Sequence, residues 1–391
     1  MRKIILVLMA ALLALPIAAA DEATRLLGYV LTTANTVAAR YSATLNLVTN
    51  GDPAGAEYVA DALTLELEAR STIRPGVQTE AYERLLQLMA KALGDWRYSN
   101  AAASLWRVVQ ESTEPLTQAE ALISLGAIRA TEYGERISLM LTDLNSRPAR
   151  DPEAGEKLAY GAILALERMR FSSGFRAVFF AADAWYSQRV KEQAQTSLPL
   201  ILADPSVELL DILRVESNPR RLRALQFSLA SSLSGEQKIA IARLALQVGI
   251  QTNPANRAEA TVLANLRKLS LNALVDLGDR SGAAATDFTA AYHLAERNND
   301  VDEKLLALRA MGNDRSAASA RELAIIITRL NDDQQAGRVN EERNRLMQAA
   351  LEYAAISRSR ELYAALQQVN INNGWSNTII RLANEALQVL E

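Results

Sequence analysis

Cysteine is absent from the 391-residue chain, and histidine occurs once, at His293. Without cysteine there is no disulfide framework, so stability must come from packing. Nor is there the lipid-bearing cysteine through which a bacterial lipoprotein is anchored. The two scarcities together exclude a Cys–His pair, a Ser-His-Asp triad and an ordinary zinc site. No catalytic residue, cofactor or metal ligand is therefore assigned, and His293 in the run Thr289 to Leu294 is read as a partly exposed helix residue. Asp300-Val301-Asp302-Glu303 lacks the glycine and the distal glutamate of a calcium loop and is read as a helix cap. Strand-like alternation is missing too. Aromatic residues make up only 5%, and Ala, Leu, Glu, Gln and Arg dominate, a composition that favours long helices over sheets. A net charge of −3 excludes bulk attraction to nucleic acid or to an anionic membrane.

Residues 1–20 have the pattern of a secretory signal. Arg2 and Lys3 precede the apolar run Ile4 to Leu15, Pro16 breaks it, and Ala18-Ala19-Ala20 stands before Asp21-Glu22 as a small-residue cleavage site. The run is short for a membrane span, which needs ~20 residues, and no later stretch offers one. The expectation is an exported protein, periplasmic or secreted, with no membrane span after cleavage.

From Asp21 onward the chain is punctuated as helices. Proline follows a polar residue at Asp52-Pro53, Asp151-Pro152, Asp204-Pro205, Asn218-Pro219 and Asn253-Pro254, where it loses no helical hydrogen bond. Capping boxes are expected at Thr117-x-x-Glu120, Ser234-x-x-Gln237 and Asp300-x-x-Glu303. First helices of successive pairs are placed near Val77, Leu116, Glu153, Arg189, Arg220, Ala255, Val301 and Asn340, a mean step of roughly 38 residues. Second helices follow near Ser99, Gly134, Gly174, Ser206, Gly235, Gly282, Ser316 and Ser359. Two capping helices are expected within 21–71 and one within 375–391, around repeats spanning 77–370. Ala121-Leu122-Ile123-Ser124-Leu125-Gly126 recurs as Ala273 to Gly278 and Ala307 to Gly312, with a looser form at Ala165 to Met169. The glycine that ends the first three is read as a helix stop at positive φ.

With the starts Val190-Lys191-Glu192-Gln193-Ala194 and Leu116 to Ala121, this signature resembles HEAT repeats. The resemblance implies an all-α, right-handed α-α superhelix of about eight pairs, a solenoid whose second helices line the concave face. A tetratricopeptide-type adaptor is the other repeat reading.

Solenoids expose long surfaces, so the expected function is a non-enzymatic scaffold for a protein or peptide partner in the cell envelope. The densest aromatic cluster runs from Phe171 to Tyr186, with Phe175 and Phe179 on a core face and Phe180, Trp185 and Tyr186 as candidate anchors. Arg220, Arg221 and Arg223 oppose a helix dipole just after Pro219. They are read either as paired with Asp211 and Glu216 or as steering an acidic segment. Glu111-Ser112, Glu216-Ser217 and Arg345-Leu346-Met347-Gln348 are similar to motifs of lytic transglycosylases, which implies the alternative of a peptidoglycan-binding or wall-cleaving enzyme.

Overall fold

The computed structural model describes residues 21–70, 77–148, 150–372 and 374–390; the expected signal at 1–20 lies outside them. Among the described residues there are twenty α-helices, some entered through a single 3-10 turn, and no strand. The chain forms two compact units that meet in sequence at Ala203–Asp204, between the two helices of the short fourth pair.

Unit 1 contains α1 (Glu22–Thr33), α2 (Val37–Asn50), α3 (Gly55–Ala69), α4 (Val77–Asp95), α5 (Ala102–Glu111), α6 (Pro115–Ala127), α7 (Gly134–Ser146), α8 (Pro152–Met169), α9 (Phe175–Ala181) and α10 (Gln188–Ile201). Three helices, not two, precede α4: the chain leaves α1 at Ala34, and Thr36 then caps α2 by accepting from the Ala39 amide. Asp151 accepts from the amides of Glu153 and Ala154 behind Pro152, as its sequence promised. Thr117 behaves otherwise. Glu114 caps α6, and Thr117 lies inside the helix, where its hydroxyl donates to the buried Glu83 carbonyl at 3.1 Å.

The first helices α4, α6, α8 and α10 pack side by side along much of their lengths, whereas among the second helices α5 and α7 barely meet and α7 and α9 do pack. Missing side chains make this possible. A Cβ on Gly126 would stand 2.7 Å from the Ala165 Cα, and one on Gly161 2.9 Å from the Ala119 carbonyl oxygen. Gly126 is accordingly no helix stop: it is buried within α6. The residue at positive φ comes three positions later, at Arg129 (φ 57°).

Unit 2 contains α11 (Ser206–Val215), α12 (Asn218–Ala230), α13 (Gly235–Gln251), α14 (Arg257–Asp276), α15 (Ala285–Arg297), α16 (Val301–Asp314), α17 (Ala317–Gln335), α18 (Glu341–Ser357), α19 (Tyr363–Ile371) and α20 (Asn377–Leu390). Ser234 and Gln237 form the full capping box. Asn256, not Asn253, caps α14. Of the signature glycines, Gly278 does adopt positive φ (73°), whereas Gly312 lies inside α16, tight against Tyr353.

Charged pairs tie neighbouring repeats of this unit together. Arg267 on α14 meets Glu303 on α16 through two bonds, 2.5 and 2.9 Å, and donates a third, 3.0 Å, to the Gly249 carbonyl. Arg243 grips Asp279 at 2.7 and 2.5 Å, Lys268 meets Asp300 at 2.7 Å, and Lys304 pairs with Glu342. Burial opposes ionisation of Asp279, but hydrogen bonds from Arg243 and Ser281 and the Arg243 charge outweigh it, holding the carboxyl below its ordinary range. Asp300 is held down in the same way, burial being outweighed by Lys268, the Glu303 amide and nearby Arg267.

A carboxylate with a depressed folded pKa contributes stability above its unfolded value and loses it as pH falls through the folded one. Unit 2 should therefore keep a flat melting temperature from about pH 7 to about pH 5 and lose stability below about pH 4. Thermal melts across that range check this, and Asp279→Asn should make the acid decline shallower.

Candidate functional site

The structure distributes the six sequence-derived site residues over both units, and most are committed to their own surroundings. Phe180 lies in the last turn of α9, half-buried and edge-on to Phe179, with the Arg176 guanidinium 5.8 Å from its ring centre. Trp185 is half-buried and donates its indole N–H to the Leu144 carbonyl at 2.8 Å. Tyr186 is 3% exposed, and its hydroxyl donates to the Asn145 side chain at 3.0 Å. Burial pushes its phenol above the ordinary range. A partner anchor needs free area, so Tyr186 is corrected to a core residue; with Trp185 it fastens the chain after α9 to the end of α7.

In unit 2, Arg220 meets Glu216 at 2.8 Å, the intramolecular pairing read from sequence. Arg221 donates to the Asn218 side chain at 2.9 Å and to the Arg214 carbonyl at 3.0 Å. Arg223 is half-buried, and burial disfavours its charged form. Glu111 pairs with Arg107, so both glutamates of the Glu-Ser dipeptides are engaged with an arginine four residues away. His293 sits beside Glu296 at 3.6 Å.

The first-helix face of unit 1 has a different character. Near the starts of α4 and α6, Glu80, Glu83 and Glu114 border one depression. A second depression of about 290 Å³ lies across α6, α8 and the start of α10, between Leu116, Ile123, Tyr160 and Val190. Leu116 is 46% exposed there. Glu120 borders the same depression, its carboxyl raised by burial against the lowering effect of Lys91 and Arg168.

A third depression, about 520 Å³, opens at the C-terminal ends of α4, α6 and α8. Arg97, Arg129, Arg168 and Arg170 border it, with Asp95, Glu167 and Leu200. Along one set of helices the lining thus passes from Glu80, Glu83 and Glu114 with Arg84, through a middle where apolar side chains stand among Glu120, Glu156, Lys157 and Arg189, to an end where arginines outnumber carboxylates.

The arginine end is built by a repeated backbone reversal. Arg97, Arg129 and Arg170 have φ of 54°, 57° and 53°, a region in which a side chain costs roughly 1–2 kcal/mol relative to glycine. Each sits in a Schellman reversal: the Arg129 amide bonds to the Gly126 carbonyl and the Ala130 amide to that of Leu125, both near 3 Å. The same pair of bonds closes α4 at Arg97 and α8 at Arg170. Sequence reading missed these residues because arginine is not a residue type expected at positive φ. The signal was an arginine four places after a helix-closing leucine, at Leu93–Arg97, Leu125–Arg129 and Leu166–Arg170.

No family model matches this chain, and no curated protein matches it. Among solved structures it is similar to human deoxyhypusine hydroxylase in complex with glycerol, at 16% identity over 94% of this chain and 95% of that one, with a TM-score of 0.28. It is also similar to SYS-1, at 10% identity over 95% of this chain and 67% of the other, with a TM-score of 0.25. Likenesses this distant carry no argument about the site; the helical-repeat fold rests on the packing described above.

Proposed function

We propose that this chain is an exported, non-enzymatic helical-repeat scaffold of HEAT type, and that a protein or peptide partner in the cell envelope lies on the first-helix face of unit 1. The observation that carries the reading is the graded face itself, a depression that presents exposed Leu116 with Ile123 and Tyr160 among charged side chains, between an end with three glutamates and one arginine and an end with four arginines and two carboxylates. Such a surface offers burial for apolar side chains and orients a segment by charge. The export part rests on the leader pattern at 1–20, and the non-enzymatic part on the lone, half-exposed histidine and the missing cysteine.

Photo-crosslinking tests the reading. A benzophenone amino acid in place of Leu116 should capture one discrete partner in the producing cells, whereas the same probe at Val207, an exposed position of unit 2, should not. Equal, diffuse capture at both positions would remove the site from this face. Release of soluble fragments from purified peptidoglycan by the protein would replace the scaffold with a wall enzyme.

A further inference from the structure

We propose that Arg97, Arg129 and Arg170 read acidic side chains placed three residues apart in an extended peptide, an inference that rests on the peptide-binding reading above. Three successive first helices end in the same hydrogen-bonded reversal, and all three put arginine where glycine is the unstrained choice. The hydrogen-bonded reversal itself does not demand arginine: in unit 2 it is made by Gly278, Asn299 and Gly337, although α16 and α18 there also end on an arginine at positive φ, Arg315 and Arg358.

All three arginines are exposed at the rim of one depression, and none has an ion-pair partner among the described residues. The two carboxylates beside them are already engaged. Asp95 meets Lys91 at 2.8 Å, and Glu167 accepts from Gln193 at 3.1 Å and from the Ser197 hydroxyl. The C-terminal partial charges of the three helices, about half a unit each, offset part of the arginine charge and leave a positive excess.

Spacing selects the ligand. Packed helices stand ~8–10 Å apart, so consecutive arginines are carried at about that interval. An extended chain of polyproline II type advances ~3.1 Å per residue and presents every third side chain on the same side, so one helix step corresponds to three residues. Carboxylates at i, i+3 and i+6 therefore match the three guanidinium groups, each able to take one in a forked pair. A single compact anion cannot reach all three.

The test uses the full mature chain and three labelled ten-residue peptides, the first two of equal composition. One carries three Glu at i, i+3 and i+6, one carries three adjacent Glu, and one has Lys at the spaced positions. The spaced peptide should bind at least tenfold tighter than the clustered one, lose affinity as salt rises, and leave the Lys peptide unbound. The triple variant Arg97→Gly, Arg129→Gly, Arg170→Gly should lose at least tenfold in that affinity while its thermal midpoint stays level or rises. Equal affinity for spaced and clustered peptides would overturn the proposal, as would undiminished binding by a folded glycine variant. A linear polyphosphate competing as well as the spaced peptide would overturn it in favour of a general polyanion site. Should the glycine variant fail to fold, the comparison of spaced and clustered peptides on the unaltered chain decides. Capture of a partner at Leu116 survives any of these failures, so the two readings stand or fall separately.

Discussion

Glu303→Ala should cost unit 2 about 3–5 kcal/mol, the range found when one member of a buried ion pair is removed. Arg267 is 3% exposed and Glu303 fully buried, so the abandoned guanidinium has no water to turn to. Its remaining bond to the Gly249 carbonyl cannot neutralise it. Arg267 cannot readily withdraw, because its stem fills the space a Cβ on Gly249 would need. Replacing both partners with apolar residues, Arg267→Met with Glu303→Leu, should recover most of the loss or exceed it, since desolvation of two charges is then avoided. Denaturant unfolding followed at Trp375, the one tryptophan of unit 2, separates this unit from the other; Trp96, Trp106 and Trp185 report unit 1. A loss under about 1 kcal/mol would mean that water reaches the pair.

Gly126→Val should destabilise unit 1 by about 2–3 kcal/mol, at the upper end of ordinary overpacking. The atom it meets is the Ala165 Cα at 2.7 Å, so relief requires α6 and α8 to separate rather than a side chain to turn. Gly278 makes a sharp contrast. It ends the same six-residue signature, but has φ 73° and nothing within 4 Å of an added Cβ. Asparagine tolerates that conformation, so Gly278→Asn should change stability by no more than ~1 kcal/mol, whereas Gly126→Asn should resemble the valine variant. Equal effects at the two positions, measured by chemical denaturation, would contradict the distinction between a turn glycine and a packing glycine.

That distinction marks where the sequence stops being readable. Helix starts were legible because a capping side chain, with or without a following proline, acts within three or four residues of the helix it begins: Pro152, Ser206, Gly235 and Val301 begin helices at or beside the expected places. The glycine of a repeated motif was not, since a helix stop and a helix–helix contact call for the same residue and differ only in what lies opposite. The charged pairs of unit 2 escaped for a related reason. Arg267 and Glu303 are 36 residues apart, and nothing in either neighbourhood announces the other. Trp185 and Tyr186 drew attention as aromatics, yet their polar ends, bonded to Leu144 and Asn145, decide their role. The arginine reversals were hidden by residue type alone.

The ties within each unit have a common reach along the chain. Arg243–Asp279 and Arg267–Glu303 each span 36 residues, and Trp185–Leu144 spans 41, about one repeat in every case. Closing loops of nearly equal length costs nearly the same entropy at each step, because that cost grows only with the logarithm of length. Among the described residues, none of these ties waits for a distant end of the chain. Folding can begin in more than one place and spread by adding neighbours, as in other quasi-one-dimensional arrays. A chain still being synthesised can thus complete each repeat as soon as the next has appeared, and a loss from one end costs chiefly the interface at the cut.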